Sequence, residues 1–390
     1  MNFQIMKLID KYAGWFLCTL FSVLELFFKT FHKPVKLDAL NVKNILFIKF
    51  WGMGSILLST PLLKAVKEKY PDSKIHYLTL SRNREIVQML EPVDNIITLN
   101  IDKGISGFIV SFFGIVYQMR SLKLDIVFDI EFFTRFSAIV TYLSGAKERI
   151  GFKAWEVWRG HLHTIGVPFN RYWHVTQNFY NLASVLGIPE NKNLELLEPK
   201  PLFNEVVETP VLLGRHKLIS KEYICINPNA GELALSRKWP KTNFIELTKL
   251  ILTNTNYTVV YVGSKKERIN SDAILSEIND PRVINMSGEM TISELIIIIK
   301  NAKMLVSNDS GPLHLAVALK TPTISFFGPE TPVLYGHSKE PHTVFFKNID
   351  CSPCINVHED KTFYCHKNYP LCLEEIKVQE VWETLKKHLN

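Results

Sequence analysis

From residue 44 onward, apolar residues come in short runs divided by stretches of helical period. The runs at 44–50 (NILFIKF), 74–80, 95–99, 124–130 (LDIVFDI) and 148–152 are too short for ordinary helices and rich in β-branched and aromatic residues. That pattern predicts buried strands. Between them, 60–70 and 106–120 carry the spacing of helices, the first opened by Thr60-Pro61 and closed before Pro71. A start at Ser55 with a bend at Pro61 is the other reading of that helix. Residues 152–174 are rich in Trp, Arg and His without a clean period, and 174–186 reads as a helix ended by Gly187.

Residues 191–221 are the least patterned part of the body and contain Pro199, Pro201 and Pro210. The alternation then resumes. Strands are predicted at 223–228, 257–263 and 282–286, and helices at 241–253, 266–278, 291–301 and 374–389. Two series of alternating strands and helices imply an α/β protein of two doubly wound, Rossmann-like parallel sheets. The boundaries expected are an N-terminal domain at 41–195, a linker at 196–221 and a C-terminal domain at 222–390. Ligands in such folds lie outside the carboxyl ends of the strands, so a cleft between the halves is the expected active site.

Residues 1–40 stand apart. Positions 13–28, AGWFLCTLFSVLELFF, are almost continuously apolar, with Lys7, Lys11, Lys29 and Lys33 on the flanks. The run is shorter than the roughly 20 apolar residues of a membrane span and contains Glu25. Phe28-Lys29-Thr30-Phe31 lacks the small residues of a signal cleavage site. A helix lying in a membrane interface is favoured over one buried against the protein, because of the flanking lysines and aromatics.

The 45 basic and 38 acidic residues leave a formal charge of +7 over 390 residues, with no long basic run. That balance does not favour nucleic-acid binding. It fits an anionic lipid surface or a phosphorylated substrate. Four of the six cysteines, Cys351, Cys354, Cys365 and Cys372, fall close together near the C-terminus. One tight pair and two more distant thiols could hold a structural zinc, with His358 and His366 as alternative ligands; reduced thiols in a loop are the other reading.

The stretch 304–329, MLVSNDSGPLHLAVALKTPTISFFGP, carries the clearest chemistry. A short strand breaks at Asn308-Asp309-Ser310-Gly311-Pro312 and restarts as a helix. Ser310 can cap, Gly311 admits a ligand to the backbone, and Pro312 suits a first helical turn. The unpaired amides and the positive end of the helix then offer a phosphate site, with His314 one turn in. Upstream, Asn227-Pro228-Asn229-Ala230-Gly231 ends a strand in a loop, and Ser236-Arg237-Lys238-Trp239-Pro240 precedes a helix. The adjacent cations could neutralise a diphosphate without a metal ion. Trp51-Gly52-Met53-Gly54-Ser55 follows the first strand like a phosphate loop but lacks a third glycine and a Walker lysine. Lys49 could face the cleft. Asp129 and Glu131, two residues apart at a strand's end, share a face and could supply a general base, or could pair with Arg135.

These segments resemble glycosyltransferase family 9, the heptosyltransferase-like family of lipopolysaccharide assembly. The resemblance rests on 44–64 (NILFIKFWGMGSILLSTPLLK), 227–240 (NPNAGELALSRKWP), 288–295 (GEMTISEL) and 308–319 (NDSGPLHLAVAL) with Phe327-Gly328-Pro329, in the family's order. It implies a GT-B fold with an N-terminal acceptor half and a C-terminal half for a nucleotide-sugar donor. It also implies inverting transfer without a metal. By position, Lys238 would contact the donor diphosphate. Asp309, Ser310, Gly311 and His314 would form the diphosphate and sugar site, and Glu267, shortly after Gly263, would meet the nucleotide ribose. Lys49, Gly54, Ser55, Trp158 and Arg159 would lie on the acceptor side. Ser55 departs from the pattern, since the family's expected base there is Asp. Asp129 or Glu131 is therefore expected to remove the acceptor's proton.

The function expected is transfer of a sugar, ADP-heptose-like, to lipopolysaccharide or another lipid-linked glycan. The enzyme would work on the cytoplasmic face of the inner membrane, with no cofactor needed for catalysis. The aromatic and basic residues Trp155, Trp158, Arg159, His161, His163 and Trp173 could bind an anionic glycolipid. A nucleotide-sugar epimerase or a non-catalytic sugar-nucleotide binder are the competing readings. The broken glycine fingerprint disfavours a Rossmann dehydrogenase.

Overall fold

The computed structural model describes residues 3–29, 41–153, 157–231, 237–355, 365–367 and 369–389. The expected positions Lys33, Trp155 and His358 lie outside them. The chain divides into two compact units at Leu197/Glu198.

In the first unit, α1 (Phe3–Lys29) is followed by β1 (Asn44–Ile48), α2 (Met53–Leu58), α3 (Thr60–Lys69) and β2 (Lys74–Leu80). Then come α4 (Arg84–Gln88), β3 (Asn95–Leu99), α5 (Gly104–Ser121), β4 (Ile126–Asp129) and α6 (Arg135–Leu143). β5 (Glu148–Lys153), β6 (Ile165–Pro168) and α7 (Val175–Asn181) complete it. The six strands lie in the order β3-β2-β1-β4-β5-β6, all parallel. β1 is central and buried on both faces, which explains its unbroken apolar run. Its register puts Ile48 beside Asp129, which in turn lies beside Gly151.

The second unit begins with α8 (Glu205–Arg215), β7 (Tyr223–Asn227), α9 (Lys241–Asn254), β8 (Thr258–Tyr261), α10 (Arg268–Leu275) and β9 (Val283–Asn285). It continues with α11 (Ile292–Asn301), β10 (Met304–Asn308), α12 (Gly311–Ala318), β11 (Thr323–Phe327), α13 (Pro332–Tyr335) and β12 (His342–Phe346). α14 (Leu371–Glu374) and α15 (Val378–Leu389) close the chain. Its parallel sheet has the order β12-β11-β10-β7-β8-β9. Trp239, stacked 4.3 Å from Phe326 and donating its indole N–H to the Ile376 carbonyl, centres the core.

Several elements differ from the sequence reading. The helix expected at 60–70 forms as α3, with Pro61 in its first turn, and a separate helix, α2, precedes it, divided from it at Ser59. β6, β12 and α6 form where no element was assigned. α8 lies inside the stretch read as a linker. Asn204 caps it by accepting the Val206 N–H, and Leu212 and Leu213 bury its inner face despite Pro210.

α1 is neither free nor buried all round. Gly14, Cys18 and Ser22 turn inward. The Asp10 carboxylate accepts the amides of Arg135 and Phe136, and Glu25 pairs with Arg149 at 2.6 Å. Gly160 meets this helix at φ 67°, where a Cβ would stand 2.8 Å from the Cys18 carbonyl oxygen. No helix among the described residues is long and apolar enough to cross a membrane.

Candidate active site

At the carboxyl edge of the second sheet, β7 and β10 lie side by side and end in Asn227 and Asn308. The Asn227 amide donates to the hydroxyls of Ser310, at 2.8 Å, and Ser307, at 3.3 Å; those two hydroxyls are 2.9 Å apart. Ser310 is the N-cap of α12 in extended conformation, yet its side chain makes no cap bond. Its hydroxyl is held sideways by Asn227 and Ser307, so the first amides of α12 carry no side-chain acceptor. An uncapped helix start with Gly311 as first residue is suited to an anion.

Charged groups frame it. Arg237 pairs with the Asp309 carboxylate at 2.5 Å and donates to the Ala230 carbonyl. The Trp239 amide donates to the Asn308 side chain, fixing the loop that carries Arg237 and Lys238. Lys238 is half-buried and has no ion-pair partner among the described residues. Ser236 lies outside them. His314 is buried, with Nδ1 3.0 Å from His337 Nε2 and Nε2 3.8 Å from Asp309. Burial lowers its pKa to about 4 against the opposing pull of Asp309, so the ring is neutral near pH 7.

The expected pair Gly263 and Glu267 sits at the end of β8. A Cβ on Gly263 would come within 3.0 Å of Asn229 Nδ2 and 3.5 Å of Glu267 Oε2. Glu267 differs from expectation: Oε2 accepts both the amide and the hydroxyl of Ser264 in a capping box. Asn229, in the loop after β7, has no role that the sequence pattern alone assigns. Its Nδ2 is buried without a partner among the described residues, while its Oδ1 accepts from Asn270. An orphaned donor facing a bare glycine is a signal that only coordinates reveal.

In the first unit, Gly52 turns the chain at φ 78° into α2, where Gly54 is buried and Ser55 half-buried. The carboxylates nearby are not displayed as bases. Glu131 is fully buried; Oε2 takes Lys49 Nζ at 2.7 Å, and Oε1 accepts the amides of Phe50 and Trp51. Glu131, expected as one of two candidate bases, is thus held inward and anchors the Gly52 loop. Lys49, expected on the acceptor side, is buried with its ammonium under 6 Å from the rings of Phe132, Phe133 and Phe179.

Asp129 is also fully buried. Its Oδ2 meets His163 Nε2 at 2.9 Å, the Ser137 hydroxyl at 3.0 Å and Arg159 at 3.2 Å. It has no direct access to solvent. His163, which touches it, has a side chain only 8% exposed, and burial holds its pKa below the usual imidazole value, so the ring is neutral near pH 7. Arg159, expected to meet acceptor, instead donates inward to the carbonyls of Glu131 and Phe152. Trp158 is exposed with its ring 6.2 Å from Trp15 of α1.

Of the residues expected to hold a zinc, Cys351, Cys354, Cys365, Cys372 and His366 lie among the described residues and His358 does not. No group of three or more His, Cys, Asp or Glu side chains among the described residues is arranged to hold a metal. Cys365 donates to the Tyr369 carbonyl, and Cys372 is buried with Sγ 2.8 Å from where a Gly328 Cβ would lie. Burial first, then the neighbouring thiols, push Cys354 up to about 11, which keeps it protonated.

The model of "Glycosyltransferase family 9 (heptosyltransferase)" matches residues 116–364. The chain belongs to this family. It is thus a glycosyltransferase, and its paired six-stranded parallel sheets are the two halves of a GT-B-like fold. Lipopolysaccharide heptosyltransferase 2 of Escherichia coli K12 is 24% identical over 287 residues, 72% of this chain and 81% of that protein. Lipopolysaccharide heptosyltransferase 1 of Campylobacter coli is 26% identical over 339 residues, 83% of this chain and 94% of that one. Two solved structures share the fold. The family 9 glycosyltransferase of Veillonella parvula matches with a TM-score of 0.73 at 18% identity, covering 91% of this chain and 99% of that one. The E. coli ADP-heptose lipopolysaccharide heptosyltransferase II matches with a TM-score of 0.69 at 22% identity, over 89% and 98%.

Proposed function

We propose that this glycosyltransferase moves a heptose-like sugar from an ADP-sugar to lipopolysaccharide or another lipid-linked glycan, with inversion and without a catalytic metal. The observation that carries the reading is the uncapped start of α12, flanked by Arg237, Lys238 and neutral His314. The second unit is assigned the donor and the first the acceptor. The names of the matched heptosyltransferases support the donor sugar, and those of the lipopolysaccharide enzymes support the acceptor.

In this scheme the acceptor hydroxyl loses its proton as its oxygen attacks the anomeric carbon. The bond from that carbon to the diphosphate breaks, and the electron pair leaves with the nucleotide diphosphate. Lys238 and the α12 amides receive the growing charge; each such preorganised group is worth about 3 kcal/mol in a transition state. Asp309, fixed by Arg237, orients the donor with His314. Asn229, through its orphaned amide, and Glu267, through its second oxygen, contact the nucleoside.

Ser55 has no basicity for the proton. We assign that step to Asp129 acting through His163. Asp129 accepts the Nε2 proton, which leaves Nδ1 of the neutral ring as the acceptor atom. The enzyme is placed on the cytoplasmic face of the inner membrane, where a lipid-linked acceptor is presented.

Incubating the purified chain with membrane lipid extract and ADP-, UDP-, GDP- and CDP-sugars tests the reading. Nucleotide diphosphate should be released with ADP-heptose only when extract is present. Release without extract at the same rate, or from no donor at all, would overturn it.

A further inference from the structure

We propose that α5 joins α1 in one docking face for an anionic phospholipid bilayer, so that the first unit meets the membrane through two helices. The inference rests on the lipid-linked acceptor proposed above and adds the surface that meets the lipid. α5 carries Ile105, Ile109, Phe113 and Tyr117 outward at successive four-residue steps, all strongly exposed. Its inner face, Phe108, Phe112, Ile115 and Met119, already fills the core, so the outward stripe is a second apolar face. A helix apolar on both faces needs an apolar environment on each.

α1 repeats the arrangement beside it. The two helices meet around Phe136, whose ring lies 6.0 Å from Phe108 and 5.9 Å from Phe112 and whose amide is bound by Asp10. Met6 packs into the same cluster. On the outer side α1 exposes Tyr12, Trp15, Phe16 and Val23.

Charge selects the occupant. α1 holds two carboxylates, Asp10 and Glu25, and both are turned inward onto Arg135, Phe136 and Arg149. α5 holds none. Exposed Lys11 lies in the third turn of α1, one residue before outward Tyr12, and exposed Lys103 is the N-cap of α5. Outward aromatics, exposed lysines and inward acids match a bilayer interface bearing negative headgroups. A protein partner would need no such exclusion of carboxylates.

Flotation of the full chain with vesicles tests this, comparing phosphatidylcholine alone with phosphatidylcholine containing phosphatidylglycerol in equal part. The wild type should float with the anionic vesicles and much less with the neutral ones. An Ile109→Ser/Phe113→Ser variant, with α1 intact, should lose about tenfold or more in vesicle affinity, or at least 1.4 kcal/mol. Its thermal melt and its turnover of a lipid-free acceptor glycan should match the wild type. Lys103→Glu should weaken binding to anionic vesicles only. An α5 variant that floats like the wild type overturns the two-helix face. So does a wild type that stays in solution with both vesicles, or a dimer that the α5 substitutions dissociate. Turnover is read separately, so failure of docking and failure of the transferase reading are distinguishable.

Discussion

Glu131 binds Lys49 at 2.7 Å across a span of 82 residues, and neither side chain is open to solvent. The other oxygen of Glu131 accepts the amides of Phe50 and Trp51, so one carboxylate sets both the end of β1 and the loop that turns at Gly52. Removing one partner leaves an uncompensated buried charge, which costs about 3–5 kcal/mol. Lys49→Met should therefore lower the stability of the first unit by that order in urea titration. Lys49→Met/Glu131→Leu should recover part of the loss, though not the amide contacts. A single variant as stable as the wild type would remove the anchor role.

The donor side and the proton step give different kinetic signatures. His163→Gln keeps a hydrogen bond to Asp129 but removes the basic nitrogen, so kcat should fall about 10²–10⁴-fold with little change in donor KM. Asp129→Asn should fall similarly. Ser55→Ala should stay within about threefold, because the hydroxyl has no role in accepting the proton. A large loss at Ser55 with full activity at His163 would return the proton step to the α2 loop.

Lys238→Ala should cost about 10²–10³-fold in kcat, since its charge acts on the departing diphosphate. Arg237→Ala should differ. It leaves Asp309 buried without its partner, so donor affinity should fall and the second unit should melt earlier. Steady-state kinetics with varied ADP-sugar, beside thermal melts, separates the two. Equal losses of stability in both variants would place Lys238 in the framework and not at the phosphate.

What could be read without coordinates was the chemistry that is local. Asn308 to His314 holds its turn, its cap residue and its helix start within one segment, and α12 begins where those residues say. α6 was not readable for the opposite reason. The acceptor for its first amides is Asp10, 125 residues upstream on another helix. Glu131 shows the same limit within a site. Alternation puts it on a face with Asp129, yet β4 stops at Asp129 and the next turn carries Glu131 back under Phe50. α8 was hidden by Pro210, because tertiary burial of Leu212 and Leu213 outweighs a breaker at the middle of a short helix.

Acid should weaken the second unit through His314. Burial lowers the pKa of this imidazole to about 4, while in the unfolded chain it titrates near 6.5. Above about pH 6.5 the ring is neutral in both states and its contribution to stability is complete. As the pH falls from there toward 4, the unfolded chain takes up a proton that the folded one refuses. Stability is lost across that window, on the order of 3 kcal/mol by its lower end. His163, also held neutral by burial, adds a loss of the same sign in the first unit. Urea titrations at about pH 7.5 and about pH 5 should show the difference, and His314→Asn should shrink it for the second unit. The 3.0 Å contact between His314 Nδ1 and His337 Nε2 is made by one shared ring proton, and protonating the accepting nitrogen would turn two N–H groups on each other and break it. A variant whose stability falls with acid as steeply as the wild type's would show that the loss originates elsewhere.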